Sequence, residues 1–171
     1  MESMLFFFVF VFGIIIGSFL NVVIFRLNTG RTVLGRSQCS TCNQTLSWFE
    51  LLPLLSFLLL SGKCRKCKSV ISGQYFFVEF FTGLLFLLIS LKETNLFSYF
   101  SPEIGFLLVI EWLVVSLLVI NFVYDLRHMI IPDSLSLTLF IVAVGSLLAE
   151  FMLFGQGAEY VYSHLASGII L

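Results

Sequence analysis

Two sets of side chains in this sequence have the types and spacing that do chemistry. The first is a pair of CxxC knuckles, Cys39-Ser-Thr-Cys42 and Cys64-Arg-Lys-Cys67, with 21 residues between them. Two knuckles can supply four thiolates in the tetrahedral arrangement that zinc prefers, at close to ribbon spacing. Arg65 and Lys66 stand where they would favour the thiolate form. Four protein ligands leave no open position for water, so such a metal would be structural and not catalytic. A thiol redox pair or unmetallated cysteines are the competing readings.

The second set is acidic. Asn-Phe-Val-Tyr-Asp125-Leu-Arg-His-Met-Ile-Ile-Pro-Asp133 places two aspartates directly after a long apolar run, and Glu79 and Glu111 fall inside other apolar runs. Ionised groups are expensive there and usually face the interior of a helix bundle. Glu79 is explained equally by a basic partner at the helix end and by function, and Asn21 and Arg26 could share its polar cluster. Glu111, with no partner evident in the sequence, reads as structural. Asp125 falls at a membrane boundary, where pairing with Arg127 would make it a mere anchoring charge. Asp133-Ser134 follows Pro132 and is placed to cap the next helix. Two carboxylates that share a proton make an aspartic protease dyad. Eight residues of helix would hold Asp125 and Asp133 about 12 Å apart, however, so the two are not expected in hydrogen-bond contact.

The elements that position these groups are membrane helices. Of 171 residues, 59% are hydrophobic and 11% charged, and Phe alone occurs 21 times; the mean hydropathy is +1.07. A soluble domain is nearer half apolar and a quarter charged, which excludes that class. Residues 1–27 form a first span without the basic n-region or small-residue cleavage site of a signal peptide. Residues 28–74 hold all four cysteines, most of the basic side chains and a short apolar stretch at 51–60. That stretch is too brief to cross a bilayer and reads as interfacial or re-entrant, with Trp48 at the interface. Further spans are expected near 75–91, 104–124 and 135–153, and a fifth apolar segment begins near Tyr160.

Charge sets the expected orientation. The basic flank at Arg26 puts the N-terminus outside and the cysteine segment and Asp125 in the cytoplasm. The fifth segment, roughly a dozen residues, cannot span a bilayer, so a truncated frame or fragment is expected. The sequence shows no internal repeat. The fold class is therefore an all-α polytopic membrane protein: about five transmembrane helices, the last incomplete, with a small cytoplasmic zinc-binding insert between the first two.

Four stretches in order resemble the prepilin peptidases, or type IV leader peptidases: GSFLNVVIFRL, CSTCNQTLSWFELLPLLSFLLLSGKCRKCKSVIS, QYFFVEFFTGLLF and YDLRHMIIPDSLSL. The resemblance implies an aspartic endopeptidase of the bacterial inner membrane that removes the basic leader of type IV prepilins and pseudopilins at the cytoplasmic face. It implies N-methylation of the new terminus with S-adenosylmethionine in intact relatives that carry the cysteine domain. Asp125 then matches the first catalytic aspartate, and Asp133 an acid of the same motif with a less settled role. Cys39, Cys42, Cys64 and Cys67 match the zinc ligands, and Glu79 is a candidate contributor to methyl transfer or to a polar cluster. The implied partners are the prepilin and the lipid bilayer, with no nucleic acid.

The chain departs from the pattern in places. Gln74-Tyr75-Phe76 stands where Arg-Tyr-Pro is usual, and Leu27-Asn28 where Leu-Pro is common. The Gly-x-Gly-Asp that carries the family's second aspartate does not occur in the 171 residues. The alternative is therefore a non-catalytic, membrane-anchored zinc module in pilus or secretion assembly.

Overall fold

The computed structural model describes residues 2–27, 29, 32–92, 102–130 and 132–154. They form five α-helices: α1 (Glu2–Arg26), α2 (Leu55–Leu59), α3 (Gln74–Lys92), α4 (Pro102–His128) and α5 (Asp133–Phe154). A single 3-10 turn covers Trp48–Leu51. Among the described residues there is no strand, only isolated bridges at Gln38–Thr45 and Lys63–Val70.

Three helices are long and apolar enough to cross a membrane: Ser3–Arg26, Gln74–Lys92 and Gly105–His128. Twenty-four residues of helix extend about 36 Å, enough for a hydrocarbon core of about 30 Å. The apolar part of α5 described with side chains, Asp133–Ala149, is shorter. The fifth segment expected from Tyr160 lies outside the described residues.

The tightest packing is between α1 and α3, which run antiparallel in a register set by small residues. A Cβ on Gly13 would lie 2.8 Å from the Cα of Gly83, and one on Gly17 would lie 2.8 Å from the Cα of Glu79. One turn further on, the Asn21 Nδ2 donates to the Tyr75 carbonyl at 3.2 Å. In lipid, helices gain little from burying apolar surface, so close backbone approach at small residues does the holding. The neighbouring hydroxyls are satisfied inside the helix: Thr82 bonds the Val78 carbonyl at 2.7 Å and Ser90 that of Phe86 at 2.9 Å.

Helix α4 runs parallel to α1. Midway along it the Trp112 ring lies 5.7 Å from that of Phe12 and stacks on Phe86 at 5.1 Å; near its C-terminal end the Arg127 guanidinium lies over Phe25. Leu135 of α5 joins Leu20, Ile24, Val78 and Ile120 in one buried cluster. The end of α1, the start of α3, the end of α4 and the start of α5 therefore meet at one end of the bundle. Cysteine segment and Asp125 share that end, as alternating spans require.

Candidate metal centre and acidic membrane edge

The two CxxC knuckles fold alike. Cys39 N–H bonds the Gln44 carbonyl at 3.0 Å and Asn43 N–H the Cys39 carbonyl at 2.9 Å; Cys64 N–H bonds Ser69 at 2.9 Å and Lys68 N–H bonds Cys64 at 3.0 Å. The residue after each second cysteine takes a left-handed conformation, Asn43 at φ 53° and Lys68 at φ 59°. The bridges Gln38–Thr45 and Lys63–Val70 close the two turns in the same way. This is a structural repeat that was not evident in the sequence, because little beyond the cysteine pair itself is common to the two stretches.

The turns bring all four Sγ atoms within 4.8 Å of one another, a cluster that can hold a metal ion. The Cys39 and Cys67 sulfurs are 3.8 Å apart, matching the edge of about 3.8 Å of a tetrahedron with bonds of about 2.3 Å. The sequence pointed to Arg and Lys as the source of thiolate character, but the structure assigns it to backbone and hydroxyl donors. The N–H groups of Cys42 and Thr41 hold the Cys39 thiol down to about 6, with help from Ser69. The Ser69 hydroxyl and N–H lower Cys67 as well. At Cys42 the Gln44 N–H also lowers the thiol, but burial and the three neighbouring sulfurs together outweigh it and push it up to about 11. Two of the nearby cations are engaged elsewhere: Arg65 lies 5.2 Å over Phe49 and Lys66 donates to Gln44 Oε1 at 2.8 Å.

The acids separate into different settings. Glu79 is 7% exposed, and its Oε2 accepts the Leu54 N–H at 2.7 Å with the Ser18 hydroxyl also bonded to it. No basic partner pairs with Glu79 among the described residues. Arg26 does not join it either; the guanidinium turns to the following loop and donates to the carbonyls of Thr32 at 2.9 Å, Val33 at 2.8 Å and Gly35 at 3.2 Å. Glu111 has the partner the sequence did not reveal, Lys92 at 4.0 Å.

Asp125 lies half-buried in the last turn of α4. Its backbone carbonyl accepts the Met129 N–H at 2.7 Å, while Met129 turns left-handed at φ 53° and ends the helix. Among the described residues the Asp125 carboxylate has no ion pair, because Arg127 is committed to Phe25 at 4.1 Å and His128 stacks on Tyr124 at 4.4 Å. Asp133 is exposed and opens α5 as its first helical residue. The Leu135 and Ser136 N–H groups bond the Pro132 carbonyl at 3.0 and 3.2 Å, so Pro132 takes the cap position expected for Asp133. Asp133 then supports the helix through its dipole. No hydrogen bond joins Asp125 to Asp133 among the described residues.

Residues 11–93 match the family described as Bacterial Peptidase A24 N-terminal domain. The chain is 41% identical over 130 residues to a prepilin leader peptidase/N-methyltransferase of Myxococcus xanthus, covering 75% of this chain and 36% of the relative. It is 32% identical over 175 residues to one of Vibrio cholerae, covering 92% and 65%. A type 4 prepilin-like proteins leader peptide-processing enzyme of Escherichia coli is 38% identical over 140 residues, with 71% and 49% covered. The chain thus spans between 36% and 65% of the length of these relatives. No solved structure matches it.

Proposed function

The chain belongs to the prepilin peptidase family, and from that premise we propose that it serves leader removal from type IV prepilins or pseudopilins, with Asp125 as one carboxylate of an aspartic pair. The observation that carries the reading is the half-buried Asp125 carboxylate at the membrane edge, without an ion pair among the described residues while Arg127 and His128 lie against rings. One member of such a pair takes a proton from water while the other supplies one to the peptide. Asp133 faces solvent eight positions on and serves the start of α5; the 171 residues contain no Gly-x-Gly-Asp that would bring the second carboxylate.

The bundle end that gathers Asp125 and the cysteines is the cytoplasmic one in this reading, at the bacterial inner membrane, with the N-terminus outside. Residues 28–74 act as the cysteine domain and residues 75–171 belong to the peptidase domain. Cys39, Cys42, Cys64 and Cys67 would hold a structural Zn2+, supported by their tetrahedral spacing. Such an ion would lock the two knuckles together. N-methylation of the released terminus is proposed from the relatives' names, with S-adenosylmethionine as methyl donor.

A chimera tests the peptidase reading. This chain up to Phe154 is joined to the remaining C-terminal part of the Vibrio cholerae relative and expressed with a type IV prepilin in a host lacking its own leader peptidase. Leader removal that disappears with Asp125→Asn is the expected result. Removal that persists in Asp125→Asn overturns the role of this aspartate, and a membrane-inserted, metal-loaded chimera that never cleaves favours the zinc-module reading.

A further inference from the structure

Glu79 raises a question the peptidase reading does not answer: what a buried carboxylate does five residues into a membrane helix. Besides the Ser18 hydroxyl, its partner is a backbone N–H, that of Leu54 at 2.7 Å. Leu54 is the centre of a tight turn in which the Leu55 N–H bonds the Pro53 carbonyl at 2.6 Å, with Leu54 at φ 58° and ψ −48°. This is the positive-φ form of the γ-turn, rare and strained for any residue with a side chain. A chain held in such a turn within the bilayer needs a protein acceptor for the N–H it frees, since no water is there to take it.

The pairing also sets a depth. Glu79 lies about 7.5 Å along the helix axis from Gln74, where α3 begins. Leu54 is hydrogen-bonded at that level, so the turn lies beside the helix, below its end. The side chains that follow suit lipid. Leu55, Leu58 and Leu59 are 57%, 61% and 82% exposed, while Phe57 turns inward against Phe76 at 5.6 Å. Past Gly62, Lys63, Arg65, Lys66 and Lys68 bring charge back where headgroups begin.

We propose that residues 52–60 are a re-entrant segment embedded in the acyl region of the leaflet on the side where α1 ends and α3 begins, with Glu79 as the positioning residue that fixes its depth by accepting the Leu54 N–H. The proposal stands apart from the peptidase reading and concerns where the cysteine knuckles sit relative to the membrane.

The chain has two tryptophans, so Trp48→Phe with Trp112→Phe gives a background in which Leu58→Trp supplies the only tryptophan, excited selectively beyond the tyrosine band. The full chain is reconstituted in phosphatidylcholine–phosphatidylglycerol vesicles, with the lipid brominated along the acyl chain or with iodide in the water. Bromolipid should quench the Trp at position 58 at least twofold more than iodide does. Glu79→Ala should reverse that preference, and Glu79→Gln should keep it because its amide oxygen still accepts. Quenching by iodide in the parent overturns the segment's placement. A Glu79→Ala that behaves as parent, or a Glu79→Gln that behaves as Glu79→Ala, overturns the latch. Bromolipid quenching that grows as protein is diluted in lipid would mean a second copy covers the leucines and also overturns it. If Glu79→Ala loses its far-ultraviolet helicity, the parent and Glu79→Gln profiles decide.

Discussion

The Arg127 guanidinium lies 4.1 Å over the ring of Phe25, and among the described residues it makes no ion pair with Asp125. A cation over an aromatic face is attracted by the ring quadrupole, and here it ties the end of α4 to the end of α1. Without an Arg127 ion pair, Asp125 is not explained as an anchored membrane-edge charge. In the chimera, Asp125→Asn should lower leader cleavage by about 10²–10⁴-fold, the usual range for losing a proton-transfer group, while thermal stability in detergent stays within about 0.5 kcal/mol. Phe25→Leu should weaken the packing instead, lowering the melting temperature without a comparable loss of cleavage. Equal losses in both variants would return Asp125 to a structural role.

The cysteine cluster predicts a metal whose affinity climbs with pH. Metal ligation needs thiolates, so protons compete with the ion. Cys39, held down to about 6, is already largely thiolate at neutral pH, whereas Cys42, pushed up to about 11, must give up its proton on binding. Binding at pH 7 should therefore release fewer than four protons, and falling pH should weaken binding more steeply once it passes through 6. Calorimetry in two buffers of different ionisation enthalpy reads the proton count. Cys64→Ser removes the buried cysteine of the cluster and should abolish stoichiometric zinc binding, with chelator treatment of the parent giving the same loss of knuckle order.

Helix positions were legible because apolar length is a property of composition: α1, α3, α4 and α5 fall within a few residues of the expected limits, and among the described residues α1, α3 and α4 are long and apolar enough to cross a membrane. The CxxC pairs were legible because metal ligation needs a fixed local spacing. Contacts made across helices were not. Gly13 and Gly17 carried a readable signal, two glycines one turn apart in an apolar helix, but nothing local says which helix they face. Arg26 gives no hint that it will gather loop carbonyls, and Glu79 gives none that its partner is a backbone N–H. These choices depend on register between distant segments, which a hydropathy pattern uniform around the helix does not specify.

That register can be tested at its glycines. Gly17→Ala puts a methyl 2.8 Å from the Cα of Glu79 and 3.0 Å from the Val78 carbonyl oxygen, and Gly13→Ala puts one 2.8 Å from the Cα of Gly83. Backbone atoms cannot rotate away, so α1 and α3 must separate, at a cost of about 1–3 kcal/mol. Gly145 on α5 has nothing within 4 Å of an added Cβ. Gly145→Ala should gain up to about 1 kcal/mol from helix propensity. Thermal melts of the three variants in one detergent compare them directly, and similar melting temperatures for Gly17→Ala and Gly145→Ala would contradict the packing.

The end of α4 offers a test at the residue that stops the helix just after Asp125. Met129 donates its N–H to the Asp125 carbonyl at 2.7 Å and adopts φ 53°, the arrangement in which a helix closes on a left-handed residue and glycine is favoured. A methionine there carries a Cβ that crowds its own backbone, at about 1–2 kcal/mol. Its side chain is 82% exposed, so little packing is lost on truncation. The greater freedom of glycine in the unfolded chain offsets part of the relief. Met129→Gly should therefore stabilise the chain by about 0.5–1 kcal/mol, whereas Met129→Val, with a branch at the crowded Cβ, should destabilise it by a similar amount. If the two variants melt in the opposite order, α4 does not end at His128, and Asp125 would lie deeper in a continuous helix.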